Sequence, residues 1–386
     1  MSEEEELLKK IKKAAKIIAS TGMMPFVVSD TFIEIIKYIL DEEDVEFVSA
    51  FKSKKSMTMD QLKTKLPNFS EEEIDKKAAK LAKKGFIFNQ PSSSGIMVYR
   101  LMPLVMTGAF EWMHMPKLPE DETKLGELRR LAGLFNKLWE ELFDNIQDQY
   151  DGMVKLFASQ PPMDRTIPLT KTDDGKTIDV EKAIDVEEKV LPAQTVEEII
   201  NKFDDIAVGN CFCRQYRSLL GHTCQSTAPL EVCFTFGKSA RHVIQQGFAR
   251  RVSKAEALEI MKKVEEGGLV HKAFHNKSDI NDIENSICNC CSCCCDTFNL
   301  WKKGAIPILN STNFLSQVNQ EKCVGCGICE EKCPIGAITL NVDSKAEVNS
   351  DMCIGCGVCA RFCPENAITL KEGMRKVFIP PPRVKK

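Results

Sequence analysis

The C-terminal part of this chain contains a duplicated cysteine motif, whose second copy begins 30 residues after the first. Each copy reads C-x-x-C-x-x-C-x-x-x-C-P, with glycines between the cysteines. The copies contain eight cysteines, namely Cys323, Cys326, Cys329 and Cys333, then Cys353, Cys356, Cys359 and Cys363. Two-residue gaps let one tight loop direct three thiolates at three irons of a cube, and the glycines let backbone amides approach the sulfides. The motif therefore predicts two 4Fe-4S clusters.

The spacing also predicts how the eight cysteines divide between the clusters. In two-cluster proteins the fourth cysteine of each run ligates the cluster of the other run. The predicted sets are Cys323, Cys326, Cys329 and Cys363 for one cluster, and Cys353, Cys356, Cys359 and Cys333 for the other. A zinc ribbon is the structural alternative, but the duplication and the trailing prolines fit it poorly.

These motifs are similar to those of the bacterial-type 2[4Fe-4S] dicluster ferredoxin family. The match is complete at all eight ligand positions, although it covers a minor part of the 386 residues. The resemblance implies a small α+β module with pseudo-twofold symmetry that passes single electrons.

Ten further cysteines lie upstream of the repeat, and none precedes residue 211. They are Cys211, Cys213, Cys224, Cys233, Cys288, Cys290, Cys291, Cys293, Cys294 and Cys295. Neighbouring residues of an extended chain point to opposite faces, so the last six cannot all address one metal. The spacing suggests one set of Cys288, Cys291 and Cys294, which would bind a cluster with an upstream thiol. Cys290 and Cys293 would then serve a second centre.

Three readings of these ten cysteines stay open. The leading one is one or two further iron-sulfur clusters, because the adjacent repeat already carries clusters. A zinc site made from Cys211, Cys213, Cys224 and Cys233, or with His222 as a substitute ligand, is the second. Redox-active disulfide or persulfide chemistry is the third.

The run from Val186 to the repeat resembles a family of 4Fe-4S dicluster proteins from anaerobes. The resemblance rests on a Cys-x-Cys-Arg element at residues 211–214, a Leu-Glu-x-Cys element at residues 230–233, a helix that ends in Gly-Leu-Val, and the Ile-Cys-Asn-Cys-Cys element at residues 287–291. It implies this domain order and additional metal ligands, and it implies no particular substrate.

The N-terminal region contains helical patterns followed by a strand-turn-strand. Ser29 is a predicted N-cap, and Ser70 with Glu73 has the spacing of a capping box. Short apolar segments at residues 86–88 and 97–99 flank a Pro-Ser-Ser-Ser-Gly turn. This order resembles a winged helix domain.

Lysines in the second and third helices of that domain raise the hypothesis of DNA binding, chiefly through Lys76, Lys80 and Lys84. Positive and negative residues nearly balance over residues 1–100, whereas DNA-binding domains are usually strongly basic. A docking or dimerising domain is therefore favoured, and binding to nucleic acid is not expected.

An amphipathic segment at residues 124–158 predicts one long helix or two in series. Its apolar stripe favours core packing, with a homodimer interface as the second interpretation. Pro161, Pro162 and Pro168 then mark a domain boundary. The expected fold class is α+β multidomain, with a mainly helical winged-helix-like domain at 1–117, a helical region and linker at 118–168, a cysteine-rich α+β metal-binding domain at 169–317, and the ferredoxin domain with its tail at 318–386.

Missing motifs limit the possible functions. The chain has no G-x-G-x-x-G after a strand and no Walker A loop, so nicotinamide, flavin and nucleotide-driven chemistry are unsupported. It has no apolar run of membrane-spanning length and an acidic N-terminus, so we expect a cytoplasmic protein that does not bind membranes. The sequence predicts an electron-transfer protein with a redox partner protein. A catalytic middle-domain centre and an iron-sulfur DNA-binding sensor are the alternatives.

Overall fold

A computed structural model describes residues 3–22, 27–106, 108–181, 195–275 and 284–384. The chain mixes α-helices and β-strands and divides into two compact units. The first unit consists of Met1–Leu142, Gln215–His222 and Arg241–Arg250, and the second of Phe143–Arg214, Thr223–Ala240 and Arg251–Lys386. All 18 cysteines belong to the second unit. The predicted start of an apolar pattern at Val186 lies outside the described residues.

The N-terminal part of the chain is mainly helical. Its helices are α1 (Glu3–Ala19), α2 (Asp30–Ile39), α3 (Glu42–Ser49), α4 (Met59–Lys65), α5 (Glu71–Lys83), α6 (Ala109–Met113) and α7 (Glu122–Asp148). Its strands are β1 (Ser56–Met57), β2 (Ile87–Pro91) and β3 (Met97–Leu101). They form a sheet of order β1-β3-β2, in which β3 pairs antiparallel with both neighbours.

Local capping chemistry explains where these helices begin. The Ser29 hydroxyl accepts the Phe32 amide at the start of α2, as the sequence predicted. The predicted capping box at α5 is also present, since Ser70 accepts the Glu73 amide and Glu73 accepts the Ser70 amide. This capping box satisfies two backbone donors that a helix start otherwise leaves unpaired.

The amphipathic segment forms two helices in series, α7 and then α8 (Tyr150–Ala158). Leu131, Phe135, Leu138 and Leu142 of the predicted stripe are all buried within the single chain. Core packing, the first interpretation of the stripe, therefore accounts for these side chains without a second copy.

The second unit is built on a large sheet. The remaining strands of the chain are β4 (Asp164–Ile167), β5 (Val180–Glu181), β6 (Ile206–Asn210), β7 (Glu231–Phe236), β8 (Arg250–Arg251), β9 (Val270–His275), β10 (Glu284–Cys290), β11 (Ile308–Val318), β12 (Ile338–Leu340), β13 (Ala346–Val348) and β14 (Ile368–Ile379). The remaining helices of the chain are α9 (Val196–Asn201), α10 (Phe212–Leu219), α11 (Gly237–Gln246), α12 (Lys254–Glu266), α13 (Asp296–Lys302), α14 (Ile328–Lys332) and α15 (Val358–Arg361). The predicted cap Ser253 accepts the Glu256 amide at the start of α12.

The cysteine repeat and the cysteine-rich region share one sheet. In the described residues its strand order is β5-β14-β11-β4-β9-β10-β7-β6-β8. Strand β11 enters the repeat, β14 leaves it, and they pair antiparallel from Ile308↔Ile379 to Val318↔Ile368. Strand β11 also pairs with β4, which pairs with β9, and β9 pairs with the cysteine-bearing β10. The hairpin β12-β13 forms a separate small sheet inside the repeat.

Among the described helices, none combines the length and the apolar character that a membrane crossing requires.

Candidate metal centres

The loops of the repeat depend on glycine. Gly327 and Gly357 have φ values of +78° and +73° and stand immediately before α14 and α15. A side chain at Gly325 would place its Cβ 2.0 Å from the carbonyl oxygen of Ser344, and one at Gly355 would come within 2.2 Å of the oxygen of Phe314. The glycines of the motif are thus required by backbone geometry and by close packing.

The structure brings four cysteines from both copies to one cavity. Cys323, Cys326 and Cys329 of the first copy line it together with Cys363 and Pro364 of the second. Burial raises the pKa of Cys329, and the neighbouring charges of Cys326 and Cys363 raise it further. We call Cys323, Cys326, Cys329 and Cys363 the first quartet. Its membership equals the predicted ligand set.

The complementary four cysteines also lie close together. Burial raises the pKa of Cys356 well above its ordinary value, and the charges of Cys359, Cys333 and Cys353 add to this effect. Burial likewise raises the pKa of Cys359 to about 12, although the Ser316 hydroxyl opposes the shift from 3.2 Å. We call Cys333, Cys353, Cys356 and Cys359 the second quartet.

Backbone amides point at the sulfurs of both quartets. The amides of Ala346 and Ala367 donate to Cys323 and Cys363 at 3.4 and 3.3 Å. In the second quartet the Ala337 amide donates to Cys333 at 3.2 Å and the Gly355 amide to Cys353 at 3.4 Å. Such donors stabilise thiolates on an anionic iron-sulfur cluster. The residues present therefore fit two 4Fe-4S clusters.

The two quartets differ in exposure. Cys326 of the first quartet is exposed, and its neighbour Val324 is 63% exposed. Cys353, Cys356 and Cys359 of the second quartet are all buried. The first quartet thus reaches solvent at Cys326, whereas only Cys333 of the second quartet is partly exposed.

Six of the upstream cysteines form a connected group of thiols. A hydrogen bond to Cys233 raises the pKa of Cys288 well above its ordinary value, and one to Cys295 does the same for Cys290. The pKa of Cys213 is raised chiefly by hydrogen bonds to Cys211 and Cys295. We call this set the six-thiol group, with members Cys211, Cys213, Cys233, Cys288, Cys290 and Cys295.

The remaining four upstream cysteines form a tighter group. The sulfurs of Cys224, Cys291, Cys293 and Cys294 all lie within 4.8 Å of one another, and we call this set the four-thiol group. It contains no histidine, so His222 is not among its members. Cys224 and Cys293 are partly exposed, whereas Cys291 and Cys294 are buried.

This arrangement differs from both groupings that the spacing suggested. Cys288 and Cys290 lie two residues apart on β10 and therefore on the same face, which separates Cys288 from Cys291 and Cys294. The chain then turns at residues 292–294, which places Cys291, Cys293 and Cys294 in one group. The suggested zinc set is also divided, because Cys224 joins the four-thiol group and Cys211, Cys213 and Cys233 do not.

A buried lysine that the sequence analysis did not identify lies beside the six-thiol group. Lys272 is 1% exposed, and its Nζ lies 2.7 Å from Oδ2 of Asp164. Burial alone would lower the pKa of Lys272, but the charges of Asp164, Cys290 and Cys295 outweigh it and raise the pKa. Strand β9 reads Val-His-Lys-Ala-Phe-His, so no apolar pattern in the sequence signalled the burial of Lys272. Lysine is almost never fully buried without a partner.

Of three comparisons with known proteins, one gives a match. Neither the curated proteins nor the solved structures produced a match to this chain. Residues 316–370 match the family model described as a 4Fe-4S dicluster domain. The C-terminal part of the chain is therefore a ferredoxin-like 4Fe-4S dicluster domain.

Proposed function

We propose that this chain is an iron-sulfur electron-transfer protein that exchanges single electrons with a redox partner protein. The two quartets would hold 4Fe-4S clusters, and the six-thiol group would hold a further iron-sulfur centre. Iron-sulfur clusters supply one-electron carriers whose potentials depend on charge, hydrogen bonds to sulfur and solvent exposure.

The observation that carries this proposal is a core cluster that contains members of both the second quartet and the six-thiol group. Cys353 and Cys356 belong to the same cluster of contacting buried side chains as Cys290 and Cys295. The partly buried Cys288 and Cys333 pack against that cluster. Ligands of the dicluster domain and of the upstream centre thus belong to one continuous cluster of buried side chains.

The two quartets are joined in a similar way. Cys323 and Cys329 of the first quartet share a buried cluster with Cys359 of the second. Two clusters of contacting buried side chains therefore connect the first quartet, which includes the exposed Cys326, to the second quartet and the second quartet to the six-thiol group. A partner protein would dock at the loop that contains Val324 and Cys326, where sulfur is nearest to solvent.

The six-thiol group resembles a carrier more than a substrate site. Cys213, Cys233, Cys290 and Cys295 are buried, which limits direct contact with a substrate. Cys211 and Cys288 are partly exposed, and six thiols exceed the four that a cubane requires. These two features keep a catalytic role of this centre as the second candidate function.

We propose a docking role for the N-terminal region and a winged-helix-like fold for it. The helix-strand-helix-helix-strand-strand order from α3 to β3 and the sheet order β1-β3-β2 support that fold.

The ion pairs of α5 favour docking over DNA binding. Lys80 and Lys84 both pair with the buried Asp44, the latter at 2.5 Å. Asp41 lies beside both lysines. Burial would raise the pKa of its carboxyl, but hydrogen bonds from Lys80 and the Asp44 amide, together with the charges of the two lysines, lower it to about 2. Lysines that neutralise acids of their own domain have less charge available for phosphates.

Iron and acid-labile sulfide analysis of the anaerobically purified full-length chain tests this function. We expect clearly more than the about eight of each per chain that two 4Fe-4S clusters contain. Dithionite reduction should give electron paramagnetic resonance signals from clusters that interact magnetically. A value of about eight with signals from two clusters only would remove the further centre. Iron-free protein would remove the function altogether.

A further inference from the structure

We propose that the four-thiol group, Cys224, Cys291, Cys293 and Cys294, binds a single zinc ion as a closed tetrathiolate site. This site is separate from the iron-sulfur centres, and the inference does not depend on the electron-transfer function. Its members come from the segment before β7 and from the turn between β10 and α13. The ion would therefore join two segments that are more than sixty residues apart in the sequence.

The distances between sulfurs agree with one tetrahedral metal. The Cys224 sulfur lies 3.8 Å from that of Cys291 and 3.7 Å from that of Cys293. The Cys293 sulfur lies 3.7 Å from that of Cys291 and 3.6 Å from that of Cys294. A tetrahedron with Zn–S bonds of about 2.3 Å has sulfurs about 3.8 Å apart.

Because all four sulfurs are mutually close, these distances favour a single metal ion over a cubane at this group. Each cysteine of a 4Fe-4S cluster binds a different iron and points outward from the cube, so its ligand sulfurs are roughly 6 Å apart. The whole four-thiol group fits within 4.8 Å, which is closer than a cube between its members requires.

Backbone donors compensate the charge that four thiolates would carry. The amides of Ser226 and Gln225 point at the sulfurs of Cys224 and Cys293, both at 3.4 Å. The amide of Cys294 points at the sulfur of Cys291 at 3.3 Å. Three of the four sulfurs thus accept an amide, an arrangement that stabilises metal-bound thiolates.

Zinc fits this site better than the alternative, iron. A four-cysteine tetrahedral shell without an open position is the usual structural zinc site, because Zn²⁺ has no redox chemistry and no geometric preference against it. Divalent zinc also binds a given ligand set more tightly than divalent iron.

The expected role of the zinc ion is to hold the turn that carries the next redox ligand. The side-chain amide of Asn299 donates to the carbonyls of Cys293 and Cys295 at 3.0 and 3.1 Å. Cys293 belongs to the four-thiol group and Cys295 to the six-thiol group. Fixing one residue therefore fixes the position of the other.

Metal analysis of the wild-type chain, purified anaerobically, is the first test. We expect about one zinc per chain and, in zinc-edge X-ray absorption, a single sulfur shell at about 2.3 Å. Zinc bound by nitrogen or oxygen, or no zinc at all, would overturn the proposal. This measurement requires no variant and so does not depend on whether a variant folds.

Two neighbouring cysteines provide a matched pair of variants. Cys290 and Cys291 are adjacent and each is 6% exposed, but they belong to different groups. We expect Cys291→Ser to lose the zinc and to keep most of the iron, and Cys290→Ser to lose iron and to keep the zinc. The partly exposed Cys224→Ser should behave like Cys291→Ser.

Three results would overturn the assignment. Cys291→Ser and Cys224→Ser could retain a full zinc content. They could instead lose a cluster's complement of iron, which would place a cluster at this site. They could also lose one iron and no zinc, which would replace zinc by a mononuclear iron. If only the further iron-sulfur centre is missing, the zinc result still stands, so the two proposals fail separately.

Discussion

Two regions of this molecule have cysteines separated by similarly short intervals, but the regions differ in architecture. In the repeat, each loop supplies three thiols to one group and its last thiol to the other quartet. In the segment from Cys288 to Cys295, the strand cysteines belong to the six-thiol group, the turn cysteines to the four-thiol group, and Cys295 to the six-thiol group again. The repeat positions its thiols through left-handed glycines, whereas the upstream segment positions them through the period of β10 and the turn that follows.

The difference shows what a cysteine spacing can specify. A loop closed by glycines has nearly the same shape in every protein, so its spacing defines the ligand set. Where a series of cysteines continues past the end of a strand, its side chains no longer point to alternate faces. The spacing of such cysteines alone therefore does not define a ligand set. The following predictions test this comparison in order of expected effect.

The largest effect is expected from double substitutions in the repeat. In a Cys323→Ala background, adding Cys363→Ala should cause little further loss of iron, because both residues belong to the first quartet. Adding Cys333→Ala to the same background should remove the second cluster as well. Cys333 and Cys363 are matched in exposure, since both are partly exposed. Iron analysis measures the outcome, and equal losses in the two double variants would contradict the exchange of ligands between the copies.

A smaller effect is expected at Lys272. Replacing it by Met leaves the buried Asp164 without its ion-pair partner and with the Asn310 side-chain amide as its remaining donor among the described residues, which should destabilise the second unit by about 3–5 kcal/mol. Removing the positive charge near Cys290 and Cys295 should also lower the reduction potential of the centre in the six-thiol group, because the reduced form carries more negative charge. Denaturant unfolding and a redox titration measure the two changes.

The exposed Lys302 provides the control for that variant. Its amine donates to the carbonyl of Ser292, in the turn that follows β10. Lys302→Met should leave the stability and the potential nearly unchanged. An unchanged potential in Lys272→Met would show that the six-thiol group holds no redox centre near this lysine.

The smallest effect is expected at Ser316. Its hydroxyl lies 3.2 Å from the sulfur of Cys359 and would donate to the thiolate. Ser316→Ala removes one hydrogen bond of about 1 kcal/mol, which should lower the potential of the second cluster by some tens of millivolts. The first cluster serves as the internal reference in the same titration. A shift of both clusters by the same amount would indicate a general structural change.

Local features of the fold were predictable from the sequence for physical reasons. The caps at Ser29, Ser70 and Ser253 were identified because a short side-chain oxygen before an apolar stripe satisfies amides that a helix start leaves unpaired. The strands β2 and β3 were identified because short apolar segments that favour strands flank a Pro-Ser-Ser-Ser-Gly turn. These features depend on residues within one or two helical turns of one another.

Contacts between distant segments were not predictable in the same way. The partnership of Cys224 with the turn after β10 joins segments that only the pairing of β10 with β7 and β9 brings together. The ion pair of Lys272 with Asp164 likewise depends on the pairing of β4 with β9. Nothing local to Cys224 or Lys272 in the sequence indicates its partner.

The sequence by itself determined that this protein contains a dicluster domain, because the spacing of the repeat and its glycines encode a self-contained loop. Only the tertiary structure decided that the upstream thiols form one group of six and one group of four. It also decided that the strands which flank the repeat continue the sheet that carries Cys288 and Cys290. The physical reason is that loop geometry is set by neighbouring residues, whereas the sharing of a sheet is set by hydrogen bonds between strands far apart in the chain.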